Sequence, residues 1–367
     1  MNTSSGNGGI TSNGENASNS ENVGNGGNAG KAADSIAMSS RLRLARNFSG
    51  FPFPGRLDGD AARKILDMAK TAVFSSEGIN SSDYLYVDMQ KLDPIDRTML
   101  VEKHLASPEL ASQNKPCAAI ISKDESVSIM LIEEDHLRIQ CIARSATIEE
   151  ALEKCEAVER VFEGSFDMAF DPNLGYLTSC PTNLGTGMRA SYMLHLPALV
   201  VTGHISAIIE QCGRIGVAVR GIYGENSVAS GNMFQFSNQG SLGRNETEIL
   251  TNIKNVSMQI IDHEFKLRNE LYDKNKSRFE DRVWRAMGTM QSARILTTEE
   301  FMELWSGVRV GVDMGIIENI GAAMLDDLMT QSQPASLQKM AGRSLTTEER
   351  DTHRADLVRG KIAAHGK

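Results

Sequence analysis

The chain has 367 residues, of which 41% are hydrophobic and 23% charged, and its formal net charge is −9. These proportions are typical of a globular protein, and the acidic balance argues against a general affinity for nucleic acid or anionic membranes. No apolar run approaches the roughly 18–20 residues that span a bilayer. The N-terminus has no hydrophobic stretch typical of a secretory signal. We therefore expect a cytoplasmic protein.

The first segment, residues 1–36, is rich in small polar residues. Its first 30 residues contain 8 Asn, 8 Gly and 5 Ser. Such a composition buries too little apolar surface to offset the chain entropy that is lost on folding. We expect this leader to be disordered and assign it no function.

Residues 37–244 alternate between strand and helix patterns. Short runs of β-branched and apolar residues, separated by polar turns, are typical of antiparallel strands. These runs fall at 117–123, 126–132, 136–143, 215–223 and 232–237. Helical spacing occurs at 147–163 and is predicted again at 197–213. This order predicts an α+β domain in which helices pack on one face of an antiparallel β-sheet.

Residues 245–367 have a helical pattern. Asn245 and Glu248 have the spacing of an N-cap and capping box, and an apolar stripe follows them. Further helices are predicted to begin at Thr298 and at Thr346 or the residue after it. We expect a helical C-terminal domain, with the long apolar stripe as the interface of a homodimer.

The five cysteines are scattered and form neither a CxxC pair nor a zinc-type spacing with histidine. They are Cys117, Cys141, Cys155, Cys180 and Cys212. Their odd number and scatter favour reduced thiols over a disulfide framework. The sequence therefore predicts no metal site built from cysteine.

Two segments of the predicted sheet combine arginines with carboxylates. In an extended segment the period of two places Arg41 and Arg43 on the same face, which fits either a solvated edge strand or an anion site. Three adjacent carboxylates occupy residues 133–135, between two predicted strands. They predict either an acidic hairpin loop facing water or a carboxylate poised as a base or cation binder, with Arg138 directed at an anion.

Three further segments carry signals that are weak singly. Residues 179–189 hold glycines and small polar residues, which permit a tight loop whose backbone N–H groups approach phosphate. Residues 220–225 place an arginine at a strand end, ahead of two glycines and a glutamate. Residues 350–355, with the sequence RDTHRA, fit an ordinary solvated helix face equally well.

Together these segments supply what phosphoryl transfer to a guanidinium nitrogen requires. The reaction needs a neutralised triphosphate, aligned reactants and removal of a proton from a poor nucleophile. Arginines make bidentate, charge-assisted contacts with phosphate, and carboxylates hold a guanidinium and accept its proton. The chain offers Arg41, Arg43, Arg138, Arg189 and Arg220, with Glu134 and Glu225.

The order and spacing of five blocks resemble the ATP:guanido phosphotransferase family, which includes creatine and arginine kinases. The blocks are SSRLRLAR from Ser39, EEDHLRIQ from Glu133, SCPTNLGTGMRA from Ser179, RGIYGE from Arg220 and FQFSNQGSLG from Phe234. The resemblance implies the catalytic domain of a guanido kinase, with a glutamine-synthetase-like antiparallel sheet. It also implies ATP and Mg²⁺, with transfer of the γ-phosphoryl group to a guanidino nitrogen.

Within this family the chain is more similar to the bacterial protein arginine kinases than to the metabolite kinases. The metabolite kinases carry a helical domain ahead of the SSRxR block, where this chain has only its leader. An open guanidine site suits an arginine side chain displayed on a protein. RDTHRA matches the RDxxRA motif of the subgroup, and LVEKHLASPEL from Leu100 resembles their block that supplies a histidine, here His104, near the nucleotide.

The resemblance implies one nucleotide site in which the five arginines bind the phosphates. The other implied nucleotide-binding residues are Ser39, Ser40, Leu42, His104, Ala190, Ser191, Tyr192, Met193, Gly221, Ile222, Tyr223, Gly224 and Glu225. Creatine kinases have a histidine at the position of Met193, so the adenine contacts are expected to differ here.

The resemblance also implies the catalytic groups. Glu134 would accept the guanidinium proton, and Glu133 would support Mg²⁺ through water or orient the loop. Glu225 would hold the guanidinium from the other side. Cys180 matches the reactive cysteine of the family, and a nearby guanidinium favours its thiolate. We expect Cys180 to tune substrate binding and redox sensitivity without forming a covalent intermediate.

In the relatives the RDxxRA motif forms an allosteric pocket for phosphoarginine. The motif here is Arg350, Asp351, Thr352, His353, Arg354 and Ala355. A helix would present Arg350 and Arg354 on one side. We expect both to clasp a phosphoryl group while Asp351 grips a guanidinium.

The same resemblance implies the partners: arginine-bearing protein substrates, a zinc-binding activator protein, a heat-shock repressor and a Clp-type unfoldase that degrades marked proteins. Two other functions stay open. One is a phosphagen kinase for a small guanidino compound, against which the missing N-terminal domain argues. The other is a non-catalytic adaptor that binds phosphoarginine, against which Glu134 and the five arginines argue.

Overall fold

The structure, a computed structural model, describes residue 33 and residues 35–76, 78–144, 147–221 and 230–365. The strands of the described residues are β1 (Ala37–Arg46), β2 (Tyr84–Asp88), β3 (Ala118–Ser122), β4 (Val127–Leu131), β5 (Leu137–Ala143), β6 (Phe170–Asp171), β7 (Gly175–Tyr176), β8 (Met188–His195), β9 (Val217–Gly221) and β10 (Met233–Asn238). Eight of them form one antiparallel sheet in the order β2-β3-β4-β5-β1-β8-β10-β9, and β6 pairs with β7.

The longer helices alternate with these strands at first and then follow one another without strands. They are α1 (Gly59–Phe74), α2 (Pro94–Glu102), α3 (Pro108–Ser112), α4 (Ile148–Glu163), α5 (Pro197–Val201), α6 (Ile205–Arg214), α7 (Glu246–Lys274), α8 (Lys276–Ser292), α9 (Thr298–Asp313), α10 (Ala322–Gln331), α11 (Pro334–Ala341) and α12 (Thr347–His365). None of the helices in the described residues is long and apolar enough to cross a membrane.

The two faces of the sheet differ because side chains alternate along each strand. Leu42 of β1 lies between Cys141 of β5 and Ala190 of β8, and all three are fully buried. Helices α4, α6 and α7 pack against this apolar face, with the Cys155 Sγ of α4 lying 3.7 Å from the Leu42 carbonyl oxygen. The apolar face and its helices form the first core, and the opposite face of the sheet is left for other groups.

The predicted fold class, an antiparallel sheet with helices on one face and a helical C-terminal region, is confirmed. The strands predicted at 117–123, 126–132 and 136–143 are β3, β4 and β5, and the helix predicted at 147–163 is α4. Residues 222 and 223 of the strand predicted at 215–223 lie outside the described residues.

The single helix predicted at 197–213 is wrong. The chain forms α5 and α6 instead, because Gly203 between them has a φ of +77°, which interrupts the helical path. The Glu264 carboxylate of α7 accepts hydrogen bonds from the backbone N–H groups of Ala198 and Leu199. A buried carboxylate thus accepts the hydrogen bonds of the first backbone N–H groups of α5. No sequence pattern near residue 197 indicates this partner.

The end of the leader differs from the expectation of disorder through residue 36. Ile36 is fully buried in the first core, and the carbonyl oxygen of Ser35 accepts a hydrogen bond from Arg309 Nη2 at 3.3 Å. Ordered chain therefore includes these two residues. The rest of the leader, apart from Ala33, lies outside the described residues.

A second core is built from helices α8, α9, α10 and α12 together with Met233 of β10. Trp305 lies at its centre, fully buried, and its Nε1–H donates to the Leu325 carbonyl oxygen at 2.9 Å. The second core therefore packs against one end of the sheet, and the helical region is joined to the sheet through a shared apolar interface.

Helix α7 belongs with the sheet. The predicted capping box of Asn245 and Glu248 is present at its start, and its apolar residues Ile249, Ile253, Ile260 and Leu267 are part of the first core. The expected domain boundary at residue 244 thus precedes a helix that packs on β8 and β10. The apolar stripe that suggested a dimer interface is covered by the chain's own sheet.

Candidate active site

The pairing register places all five predicted arginines on the same face of the sheet, opposite the first core. Arg43 of β1 lies directly across from Arg189 of β8. Arg41 and Ala45 each lie two residues from Arg43 along β1 and therefore share its face. Ala45 is paired with Arg138 of β5, so Arg138 lies on this face too. Arg220 of β9 reaches the same face through its pairing with Gln235 of β10 and the pairing of Gln235 with Met193 of β8.

The arginines crowd positive charge into this face. Burial and then three neighbouring arginines lower the pKa of Arg41 to about 10. Burial and neighbouring arginines also lower the pKa of Arg43. The Nε–H of Arg43 is enclosed and has no hydrogen-bond partner among the described residues. A buried cationic donor without an acceptor is costly, so this face has the chemistry of a site for a polyanion.

Strand alternation divides the other predicted nucleotide residues. Ser39, Ser191 and Met193 lie on the arginine face and line the cleft above it. The side chains of Ser40, Leu42, Ala190 and Tyr192 are fully buried on the opposite face, and Gly221, paired with Phe234, belongs to that face too. Their side chains contribute to the core, because a continuous stretch of strand cannot direct every residue to one face. Ile222, Tyr223, Gly224 and Glu225 lie outside the described residues.

His104 lines the same cleft from the loop after α2. Its φ of +59° is unusual for a residue other than glycine, and the Nε2 amide of Gln140 donates to its carbonyl oxygen at 2.6 Å. Burial, with the charges of Arg41 and Arg43, lowers the pKa of His104 to about 4. The imidazole is therefore neutral at pH 7 and can offer either a donor or an acceptor.

Glu133 is tied to Arg138 and is almost fully buried. Its Oε1 accepts from Arg138 Nη1 at 2.5 Å and from the Ser107 hydroxyl at 2.5 Å. Burial opposes ionisation of Glu133, but the Arg138 guanidinium and the hydrogen bonds hold its pKa below the ordinary value. Of the two roles expected for Glu133, this geometry favours orienting the loop and Arg138.

Glu134 is the exposed carboxylate of the same loop. Its pKa is raised, first by partial removal from water and then by the negative charges of Asp135 and Glu133. A carboxylate with a raised pKa is a better proton acceptor near neutral pH than an ordinary one. The pKa values of Glu133 and Glu134 are thus shifted in opposite directions, because Glu133 is ion-paired with Arg138 and Glu134 has no such ion pair among the described residues.

Asp135 joins the Glu134 loop to the loop that carries Cys180. One Asp135 oxygen accepts from the Asn47 side-chain amide at 2.6 Å and from the backbone N–H of Ser179 at 2.7 Å. Asp135 is only 2% exposed. An acidic hairpin loop in which all three carboxylates face water is therefore wrong, because two of them are buried anchors.

Cys180 is the partly exposed cysteine, and the other four, all within the described residues, are buried. Its Sγ lies 3.1 Å from the Thr182 hydroxyl.

Gly185 and Gly187, in the loop after Cys180, allow close packing of the backbone. A Cβ on Gly187 would stand 2.6 Å from the Ala45 carbonyl oxygen, and one on Gly185 would stand 2.9 Å from the Ser241 carbonyl oxygen. These two glycines let the loop lie directly against its neighbours.

The RDTHRA segment lies on α12, but its two arginines differ. Arg354 is 1% exposed and donates to the carbonyl oxygens of Ser332 and Leu296, to Thr298 Oγ1 and to Asp351 Oδ1. The expected clasp of Arg350 with Arg354 is therefore not formed, and Asp351 grips Arg354. Arg350 makes two longer contacts, to the Leu345 carbonyl oxygen at 3.3 Å and to Thr347 Oγ1 at 3.0 Å.

The sequence patterns did not indicate which residues position the arginines and loops. These are Asn47, Ser107, Asp135, Gln140 and Ser237, the last of which accepts from Arg189 Nε at 3.4 Å. Gln140 could have been found, because it stands two residues from Arg138 and hence on the same face. The partners from distant segments carry no local signal.

A groove of about 840 Å³ between α1 and α4 contains none of the predicted site residues.

Comparison with known proteins agrees with this architecture. The sequence model for "ATP:guanido phosphotransferase, C-terminal catalytic domain" matches residues 64–267, and that for "Protein-arginine kinase McsB C-terminal domain" matches residues 276–367. Among solved structures, the duplicated taurocyamine kinase of Schistosoma mansoni with bound transition-state-analogue components has a TM-score of 0.58 at 23% identity, covering 67% of this chain and 35% of that one. A lombricine kinase has a TM-score of 0.57 at 21% identity, covering 65% and 68%. These two likenesses concern the fold.

Sequence relatives are closer. A protein-arginine kinase of Caldanaerobacter subterraneus subsp. tengcongensis is 47% identical over 323 residues, which cover 88% of this chain and 96% of that protein. One from Moorella thermoacetica is 44% identical over 329 residues, covering 89% and 94%. The predicted resemblance is thereby confirmed, and the chain belongs to the ATP:guanido phosphotransferase family and, within it, to the protein-arginine kinases.

Proposed function

We propose that this chain transfers the γ-phosphoryl group of ATP to arginine side chains of other proteins. The observation that carries the proposal is the arginine face of the sheet, where the enclosed Nε–H of Arg43 has no acceptor among the described residues. Glu134, whose pKa is raised, stands on the loop beside it. The names of the relatives and the matching C-terminal domain support protein arginine as the acceptor.

The five arginines bind the triphosphate in this account. They lie on one surface with their backbones fixed by neighbouring strands, so their orientation is set before the nucleotide arrives. Neutralising the phosphate oxygens also relieves the mutual repulsion of the arginines, which together with the larger effect of burial lowers the pKa of Arg41. Binding energy and the charge stabilisation needed at the transferring phosphoryl group thus come from the same side chains.

Mg²⁺ fits this site as an ion carried by ATP. The described residues contain no cluster of three His, Cys, Asp or Glu side chains that would hold a metal by itself, and the Glu133 carboxylate is already bound to Arg138 and Ser107. Mg²⁺ commonly keeps several waters and binds through substrate phosphates. When bound, it supplies further charge neutralisation on the phosphate oxygens.

Glu134 is the base of the proposed reaction. A guanidinium nitrogen cannot attack while it is protonated, so Glu134 accepts the proton as the N–P bond forms. The bond between the γ-phosphorus and the bridging oxygen breaks at the same time, and its electron pair stays with ADP. Glu133 holds Arg138 in place during this step, and Asp135 keeps the Cys180 loop beside Glu134.

We also propose the wider setting that the family resemblance implies. The catalytic unit runs through α7, and the helical unit begins at Lys276. Arg350 binds the phosphoryl group of phosphoarginine. Arg354 holds α12 in place by donating to the Ser332 carbonyl oxygen, just before α11. The first N–H groups of α11 donate in turn to the Glu102 carboxylate. The partners are a zinc-binding activator, a heat-shock repressor and a Clp-type unfoldase in the cytoplasm.

The test is phosphosite mapping after incubation with MgATP and an arginine-bearing protein such as casein. A parallel reaction contains free arginine and creatine, and all samples are processed at neutral to basic pH because the P–N bond is labile to acid. We expect phosphoryl groups on protein arginines and none on the free compounds. Phosphorylated free arginine or creatine would instead identify a phosphagen kinase.

Glu134→Gln is the matched variant for the same assay. It keeps the size of the side chain but removes the proton acceptor, so transfer should fall by about 10²–10⁴-fold while ATP affinity is kept. Near-normal turnover of the variant would refute Glu134 as the base. An absence of transfer by the wild type, together with tight binding of phosphoarginine-bearing protein, would favour the adaptor function.

A further inference from the structure

Three large apolar side chains lie exposed on segments that flank the Cys180 loop. Phe170 and Leu174 belong to the β6–β7 hairpin and are 56% and 43% exposed, and Leu242, which follows β10, is 53% exposed. Single exposed apolar residues are common, but a contiguous group of them is typical of an interaction site. These three residues are called the apolar rim.

Two glycines bring the segments of the apolar rim into direct contact. A Cβ on Gly175, which follows Leu174, would stand 2.5 Å from the Gly185 carbonyl oxygen. A Cβ on Gly185 would in turn stand 3.0 Å from the Leu242 Cα. The backbone N–H of Tyr176 also donates to the Gly185 carbonyl oxygen at 2.8 Å. The backbone beside Leu174 and that of Leu242 therefore meet at the same glycine.

The hairpin that carries two of these side chains is fixed by its own contacts. The Asp171 carboxylate accepts a hydrogen bond from the backbone N–H of Leu174 at 3.0 Å. The Phe170 ring lies edge-on to the Tyr176 ring, with 5.3 Å between centroids, and the Arg46 guanidinium lies 3.5 Å from the centroid of the Tyr176 ring. A surface that is already ordered loses little conformational entropy when it binds a partner. The apolar rim is thus pre-organised for binding.

The Cys180 loop joins the apolar rim to the acceptor side of the active site. Ser241, which precedes Leu242, donates its hydroxyl hydrogen to the Leu184 carbonyl oxygen at 2.9 Å. A short turn at residues 181–183 separates Leu184 from Cys180. The start of the same loop is held next to Glu134 by the hydrogen bond from Ser179 to the carboxylate that follows Glu134. The surface from the base to the apolar rim is therefore continuous.

We propose that the apolar rim binds apolar side chains of the polypeptide segment that carries the target arginine. This inference rests on the proposed function, because it takes protein arginine as the acceptor. A small guanidino compound ends within the active site, whereas a polypeptide with its arginine beside Glu134 continues over the neighbouring surface. The apolar rim is the apolar part of that surface and takes leucine or aromatic side chains in the sequence around the arginine.

Two peptides with a single arginine test the inference on the full-length chain. In one peptide the arginine is flanked by glycine and serine alone, and in the other several of these flanking residues are replaced by leucine. We expect the leucine peptide to have a KM about tenfold lower, which corresponds to about 1.4 kcal/mol. The kcat should be the same for both peptides, because binding outside the reacting groups stabilises the ground state and the transition state equally.

Leu174→Ser and Leu242→Ser are the test variants. Each should raise the KM for the leucine peptide about fivefold by removing one apolar contact, and leave the KM for ATP and the rate with the glycine–serine peptide unchanged. Leu85→Ser is the matched control, because Leu85 is also 53% exposed but lies on the edge strand β2. It should leave the preference for the leucine peptide intact.

The failure of the inference and that of the proposed function are distinguishable. Equal KM values for the two peptides, or a preference that survives both variants, would overturn the inference while the proposed function stands. Sedimentation velocity should give the same assembly for the wild type and Leu242→Ser. An assembly that dissociates in Leu242→Ser would identify the apolar rim as a contact between copies and overturn the inference. No transfer by the wild type to either peptide or to casein would contradict the proposed function and the inference with it.

Discussion

Two arginines of the sheet face, Arg41 and Arg43, and the buried arginines of helices α7 and α9 are the same residue type in opposite surroundings. On the sheet face, burial and then the positive charges of three other arginines lower the pKa of Arg41. On α7, Arg268 donates to Glu264 at 2.8 Å and to Asp313 at 3.1 Å. Arg309 binds the same Asp313 on one side and Asp326 on the other.

This difference in partners separates arginines that bind a ligand from arginines that stabilise the fold. Burial opposes the charge of Arg309, but its two carboxylate partners raise its pKa above the ordinary value. A buried cation whose partners are already supplied by the fold is strongly coupled to stability. A crowded cation whose partner must come from a ligand is coupled to binding instead. We therefore expect substitutions in the two groups to affect different properties.

The largest expected effect is on catalysis. Arg43→Met removes a phosphate ligand and should lower phosphoryl transfer by about 10³-fold or more, in the range that loss of a catalytic arginine causes in other phosphoryl-transfer enzymes. The stability of the free protein should be unchanged or higher, because one charge leaves a crowded cluster. Initial rates of ADP release and urea unfolding measure the two properties.

Arg63→Met is the control for this variant. Arg63 is exposed and pairs with the exposed Asp60 on α1, so its loss should alter neither rate nor stability measurably. A wild-type rate of phosphoryl transfer in Arg43→Met would contradict the distinction between ligand-binding and structural arginines.

The next effect is on stability. Arg268→Met leaves the buried carboxylates of Glu264 and Asp313 with a cation removed, which should cost about 3–5 kcal/mol of the free energy of unfolding. Lys266→Met on the same helix removes an exposed pair with Asp262 and should cost less than about 0.5 kcal/mol. Urea unfolding at pH 7 measures both. Equal values for the two variants would show that the buried network contributes no more than a surface pair.

The smallest effect is a shift in pH dependence. The base must be ionised, so the rate should fall as the pH falls through the raised pKa of Glu134, at a higher pH than an ordinary glutamate would give. Glu109 is exposed and is one of the charges that raise this pKa. Glu109→Gln should therefore move the acidic limb of the rate profile toward lower pH. An unmoved limb would mean that another group controls it.

Much of the site follows from the sequence because strand alternation is a short-range rule. The spacing of Arg41 and Arg43 predicted a shared face, and the structure extends that face across β5, β8, β10 and β9. The same rule corrects the prediction, since Ser40, Leu42 and Ala190 must face the core. A contiguous motif on a strand therefore predicts more site residues than there are side chains on the binding face.

The remaining features depend on contacts between distant segments. Arg350 and Arg354 look equivalent in the sequence, but only the fold brings the carbonyl oxygens of Ser332 and Leu296 to Arg354. The capping of the first turn of α5 depends on Glu264, more than sixty residues away. Such partners have no local pattern, so the sequence could not separate a structural arginine from a binding one.

The shift in the thermal unfolding midpoint that MgATP causes in Arg43→Met and Arg268→Met tests most directly whether the arginine face is the triphosphate site. A ligand that binds only the folded state raises this midpoint. We predict that Arg43→Met keeps the midpoint of the free protein and loses the shift, whereas Arg268→Met has a lower midpoint and keeps the shift. A full MgATP shift in Arg43→Met would contradict the assignment of the arginine face as the triphosphate site.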